Sequence, residues 1–126
     1  MSDAQRNVEI IREFVSAWSR LDPAELAAYF TEDGVYYNMP AAPVSGREAV
    51  EGFIRGFTGA WTQTTWDLIH VVGAGDLVFA ERLDRTNASG GKGVDLPCLG
   101  VFEMQDGKIR VWRDYFDMAT YVAGMA

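Results

Sequence analysis

Cysteine, histidine and positive charge are all scarce in this chain. Its one cysteine, Cys98, has no intrachain partner, so nothing in the sequence requires an oxidising compartment. Its one histidine, His70, beside that one cysteine gives no cluster at metal-ligand spacing, and no metal is expected. The Gly-x-Ser-x-Gly elbow of many serine hydrolases is missing. The glycines form neither a phosphate loop nor a dinucleotide fingerprint, so no nucleotide, flavin or other cofactor is implied. No apolar run approaches the roughly 18 residues of a membrane span, and Met1-Ser2-Asp3-Ala4-Gln5-Arg6 is polar where a signal peptide would be apolar. Lys and Arg number 11 against 18 Asp and Glu, a formal charge of -7. That balance disfavours nucleic acid and anionic membranes as partners. What is left is a soluble, cytoplasmic protein.

What the chain does have is apolar bulk. Its 126 residues fit one domain over 1–126, and 7 Phe, 5 Tyr and 4 Trp are enough for a deep apolar interior. Residues 4–19 read as an amphipathic helix, with Val8, Ile11, Phe14 or Val15, and Trp18 three or four apart. Asp22-Pro23 reads as an N-cap and first helical position, opening a short helix over 23–30. Thr31-Glu32-Asp33-Gly34 has turn chemistry. A first strand over 35–39 follows, stopped by Pro40 and Pro43. Ser45 with Glu48 reads as a capping box for a third helix over 47–57. Gly52 and Gly56 inside it cost roughly 1 kcal/mol each relative to alanine. Either close packing or entry of a ligand would account for them.

From Trp61 onward the period changes to two. Runs over 62–74, 76–88, 93–104 and 107–116 are separated by Gly73-Ala74-Gly75-Asp76, Ser89-Gly90-Gly91-Lys92 and Gln105-Asp106-Gly107-Lys108, the last carrying an Asp-Gly hairpin signal. Helices followed by a meander predict an α+β fold, a curved sheet wrapped around the helices. Such a shape encloses a small-molecule pocket.

Two strand faces carry charge where apolar groups belong. Arg82 and Asp84 share a face with Val78 and Ala80, and Asp114 lies between Trp112 and Phe116. Tyr36 and Asn38 share a face on the first strand. Each has a bland explanation: a core Tyr bonded to backbone, a surface ion pair, a strand-end Asp in water. Their coincidence on strands of one sheet favours a buried site. One arginine between two carboxylates would satisfy all three groups and leave two acids in unlike environments, as acid–base catalysis requires. His70, beside Ile69 and Val71, reads as a satisfied core or interface residue rather than a catalyst. Cys98 follows Pro97 in an apolar strand with no local base, and reads as an inert thiol.

Three motifs occur together: Tyr36-Tyr37-Asn38-Met39-Pro40, Glu81-Arg82-Leu83-Asp84 and Trp112-Arg113-Asp114-Tyr115-Phe116-Asp117. With Gly46-Arg47-Glu48-Ala49-Val50, Leu99-Gly100-Val101-Phe102 and Gly107-Lys108-Ile109, they make the chain resemble the limonene-1,2-epoxide hydrolase family over about residues 8–121. That family lies in the nuclear-transport-factor-2-like (SnoaL-like) superfamily. The resemblance implies a cone-shaped, curved mixed sheet with about three N-terminal helices over its concave face. It also implies a cofactor-independent hydrolase adding water to an apolar, terpene-like or cyclic epoxide, giving a vicinal diol, and a homodimer. Carried over, Asp114 is the general base, Tyr36 and Asn38 hold the water with it, Asp84 is the acid, and Arg82 bridges both carboxylates. Val15, Trp18, Phe57, Leu96, Cys98 and Phe116 are expected to form the substrate walls. The superfold hosts other chemistries. An isomerase, cyclase or dehydratase would use one base and an oxyanion donor, and a ligand-binding or dimerisation module would need no catalysis at all.

Overall fold

The structure is a computed structural model describing residues 2–126. Helix α1 (Asp3–Ala17) starts at Ser2, whose hydroxyl accepts from Gln5 N while the Ser2 N–H donates to Gln5 Oε1. This capping box gives partners to amides the helix leaves orphaned. Ile11, Phe14, Val15 and Ala17 turn inward. The last expected turn tightens into a 3-10 segment, Trp18–Arg20.

Asp22 caps α2 (Pro23–Ala27) as the sequence predicts, accepting from Ala24 N and Glu25 N. The helix stops at Ala27, however, and Phe30 opens strand β1 (Phe30–Asn38). Residues 31–34 therefore extend a strand instead of forming a free turn. Their turn chemistry survives as a break in register against the last strand, since Phe30 pairs with Ile109 but Val35 with Val111.

Ser45 belongs to the short strand β2 (Val44–Ser45), where it pairs with Val35, and is not a helix cap. Gly46 caps α3 (Arg47–Phe57) at φ 97° without a side-chain bond. Only a residue lacking Cβ takes that φ freely, so backbone geometry overrides the capping-box signal. Helix α3 has the expected limits and buries Val50 and Ile54. A Cβ on Gly52 or Gly56 would meet nothing within 4 Å, so close packing is not their purpose.

Strands β3 (Trp61–Ala74), β4 (Leu77–Ala88), β5 (Lys92–Gln105) and β6 (Lys108–Tyr115) form the expected meander. The six strands lie in the order β2-β1-β6-β5-β4-β3, and β1 runs parallel to β6. The sheet is thus mixed, with the helices α1 and α3 packed on it and α2 against α3. The sequence reading has no counterpart to α4 (Met118–Met125), whose N-cap Asp117 accepts from Thr120 N.

Phe14 organises the core. Its ring meets those of Trp18, Tyr29, Phe30, Phe102 and Trp112 edge-on at centroid distances of 5.1–6.1 Å. Phe14→Ala should lower stability by about 3–5 kcal/mol. Urea unfolding would show this as a lower midpoint; an unmoved midpoint would mean that the cluster does not depend on this ring.

Candidate active site

Strand register decides which side chains meet inside. Val78, Phe102, Trp112 and Tyr36 make one row across β4, β5, β6 and β1, and Ala80, Gly100, Asp114 and Asn38 make the next. Arg82 and Asp84 continue the inner face of β4, opposite Cys98 and Leu96. The apolar row forms a dry floor, and Tyr36 stacks on Trp112 at 4.3 Å.

Arg82 is 0 % exposed, Asp84 6 % and Asp114 3 %. Arg82 Nε and Nη2 donate to Asp84 Oδ1 and Oδ2 at 3.0 and 2.9 Å. Nη1 and Nη2 donate to Asp114 Oδ1 and Oδ2, both at 2.9 Å. The Trp66 ring centroid lies 4.4 Å from the guanidinium carbon. Burial would lower the Arg82 pKa, but the two carboxylates outweigh it and hold the group charged.

Burial pushes the Asp114 carboxyl above its ordinary value; Arg82 opposes that rise and Asp84 adds to it. With one cation and two acids in a dry site, one retained proton makes the trio neutral, a state the low dielectric favours. Cys98 Sγ also donates to Asp84 Oδ2, at 3.4 Å. Asp84 Oδ2 therefore has two donors, Arg82 Nη2 and Cys98 Sγ, and Asp84 Oδ1 has one, Arg82 Nε. Burial raises the Cys98 thiol far above its usual range, so it remains a thiol.

Asn38 stands beside Asp114 because β1 and β6 pair there, and Met39 N donates to the Asp114 carbonyl at 2.9 Å. The Asn38 side chain shares the inner face with Tyr36, and burial keeps the Tyr36 phenol protonated. Asn38 Oδ1 is buried with no partner among the described residues. An unpaired buried acceptor is costly, and this one marks where an O–H group would dock.

All five predicted polar residues thus converge. Four of them, Tyr36, Asn38, Asp84 and Asp114, line one cavity, with Arg82 behind them. Of the expected walls, Phe57, Leu96, Cys98 and Phe116 line it too. Val15 and Trp18 do not; both are core residues, and Trp18 stacks at 4.1 Å behind Trp66, which takes the wall position instead. Trp61, Trp66 and Tyr121 are wall residues that sequence reasoning missed. Tyr121 sits on α4, which packs beside Gly93 and Val94 of β5. There β5 has lost its β6 partner, since that pairing starts only at Leu99. Asp117 as an N-cap ahead of an apolar run was the available signal for this helix. Trp61 Nε1 donates to Tyr121 Oη at 3.1 Å and ties the cover to the wall. The open space is about 20 Å3, room for one water, so the walls must part for anything larger.

His70 is not in the core. It is exposed on the opposite face of the sheet, 2.9 Å from Glu81 Oε1.

A six-stranded mixed sheet with helices packed on it defines the fold class, and the chain belongs to the SnoaL-like domain family, whose model matches residues 11–112. It is 31% identical over 117 residues to the epoxide hydrolase EphG of Mycobacterium tuberculosis (strain ATCC 25618 / H37Rv), covering 91% of this chain and 76% of that protein. Among solved structures, an LEH-like epoxide hydrolase from M. tuberculosis superposes with a TM-score of 0.84 at 26% identity, covering 98% of this chain and 91% of that one. A hypothetical protein from Catenulispora acidiphila with a ketosteroid isomerase-like fold also gives 0.84, at 22% identity over 92% of this chain and 91% of that one. A provisionally assigned SnoaL-like polyketide cyclase from Shewanella denitrificans gives 0.82 at 16% identity, over 94% and 96% of the two chains. The last two share the fold alone.

Arg82→Ala would strand two acids and should cost about 3–5 kcal/mol near neutral pH. Asp114, already raised by burial, would lose the cation that opposes the rise. A raised acid contributes stability below its unfolded value and loses it as pH rises. The deficit against wild type should therefore shrink toward about pH 4. Denaturation midpoints across the range measure it, and a pH-independent deficit would contradict the trio described here.

Proposed function

We propose that residues 1–126 form one catalytic domain that hydrolyses a small apolar epoxide to a vicinal diol, in one step and without a cofactor. The carrying observation is Arg82 bonded to two buried carboxylates beside the unpartnered Asn38 acceptor. The likeness to EphG, an epoxide hydrolase, supports it.

In this reading a water donates one hydrogen to Asp114 and the other to Asn38 Oδ1, and accepts from the Tyr36 hydroxyl. Its remaining lone pair attacks an epoxide carbon while Asp114 takes the proton. Asp84, carrying the proton of the neutral trio, gives it to the ring oxygen as the C–O bond breaks. A strained ring needs this push and pull together. Turnover leaves Asp114 protonated and Asp84 ionised. The charge of the trio is unchanged, so Arg82 stabilises both states and a single proton shift resets the site.

Phe57, Trp61, Trp66, Leu96 and Phe116 offer apolar walls, which suit a cyclic or terpene-like epoxide such as the limonene-1,2-epoxide hydrolases take. An isomerase or cyclase of the same fold would need one base and an oxyanion donor. The Arg82 bridge to a second acid has no task in that chemistry. The free thiol needs no oxidising compartment, and we place the enzyme in the cytoplasm. No helix among the described residues is long and apolar enough to cross a membrane.

Asp114→Asn should abolish turnover and leave the fold intact. Single-turnover hydrolysis of limonene, cyclohexene and styrene oxides in oxygen-18 water should place one heavy oxygen in the first diol formed. Unlabelled first-turnover diol would point to a covalent ester, and an active Asp114→Asn would remove the base role.

We further propose a homodimer through the outer sheet face. Val72, Phe79, Leu99 and Tyr115 are exposed there, on strands whose register places them together. Phe79→Glu should convert the dimer to monomer in light scattering, and a wild-type monomer would end this reading.

A further inference from the structure

We infer that Gly100 is a positioning residue, whose missing side chain opens the passage through which Arg82 crosses β5 to reach Asp114. This rests on the role given to Asp114 above, but its geometry does not.

Arg82 is on β4 and Asp114 on β6, with β5 between them. Neighbouring strands lie about 4.8 Å apart, so the guanidinium must span roughly 10 Å of sheet. It must also cross rows, because Arg82 pairs with Cys98 while Asp114 pairs with Gly100. Its route therefore runs over Gly100. A Cβ built there would sit 2.9 Å from each of Arg82 Nη1, Phe102 Cε1 and Trp112 Nε1.

The two rings cannot yield. Phe102 and Trp112 are fully buried and stack on each other at 5.2 Å. On its other edge Arg82 is gripped by Asp84 and lies against Trp66. The contact free to give is the one between Arg82 and Asp114. The neighbouring inward positions Ala80, Asn38, Cys98 and Leu96 all carry side chains, and glycine stands only at this crossing.

A methyl group at this position would leave Arg82 with Asp84 and move it off Asp114. The charged and titratable groups around Asp114 are Arg82 and Asp84 from β4, Cys98 from β5 and Tyr36 from β1. Arg82 is the only cation among them. Its retreat leaves Asp114 facing burial and Asp84 unopposed, so its carboxyl should bind its proton more tightly.

The test is Gly100→Ala, with the Asp114 carboxyl followed by carbon-13 NMR in folded protein. We expect its midpoint to rise by about one pH unit or more. The acid limb of the hydrolysis profile should move with it, and kcat should fall by about 100-fold. An unmoved Asp114 midpoint overturns the inference. Should Gly100→Ala fold poorly, the same change in an Asp114→Asn background decides. There the ion pair is already lost, so alanine should cost less stability than it does in wild type. Equal cost in both backgrounds would show that it clashes with the rings alone, and would overturn the inference. A wild-type protein inactive on epoxides, with the Asp114 midpoint still rising in Gly100→Ala, would reject the hydrolase reading and keep this one.

Discussion

The fully buried guanidinium of Arg82 is the constraint on which the rest of this protein depends. A lone cation in an interior of tryptophan and phenylalanine would be untenable, and neither acid alone would neutralise it with full hydrogen bonding. The structure answers with carboxylates from two strands, each held through both oxygens. This requires β5 to pair with β4 and β6 in a register that puts Gly100 opposite Asp114 and Cys98 opposite Arg82. It also requires β1 to pair with β6 in parallel, so that Asn38 completes the row.

The same burial that makes the trio expensive gives it chemical direction. In water two carboxylates near an arginine would both ionise and be equivalent. Here the environments differ: Asp84 has Cys98 at one oxygen, and Asp114 has Asn38 beside it and Tyr36 near by. Trp66 and Trp112 keep the interior dry around the guanidinium. Low dielectric, a single cation and unlike neighbours are what separate an acid from a base among like residues.

The wider fold does not set that chemistry. Proteins of similar backbone include an epoxide hydrolase and a protein with a ketosteroid isomerase-like fold. The roofing elements, α3 and α4, then close a space of about 20 Å3 over the polar cluster. Residues from the cover, such as Phe57 and Tyr121, are therefore where substrate shape would be read.

Much of this was legible in the sequence, because strand alternation is local. Arg82 and Asp84 share a face by their spacing, as do Trp112 and Asp114, and glycine-rich turns mark the meander. The limits of α3 and the cap at Asp22 were equally plain. What the sequence by itself determined was which side chains point inward and that charged groups stand among them. Only the tertiary structure decided which inward groups touch. The parallel pairing of β1 with β6, the depth of Trp18 behind Trp66, the positive φ that puts Gly46 where Ser45 was expected, and the seat of α4 beside β5 all depend on contacts between segments far apart in the chain. Periodicity describes one strand at a time, whereas a site shared by four strands exists only once their registers are fixed against each other.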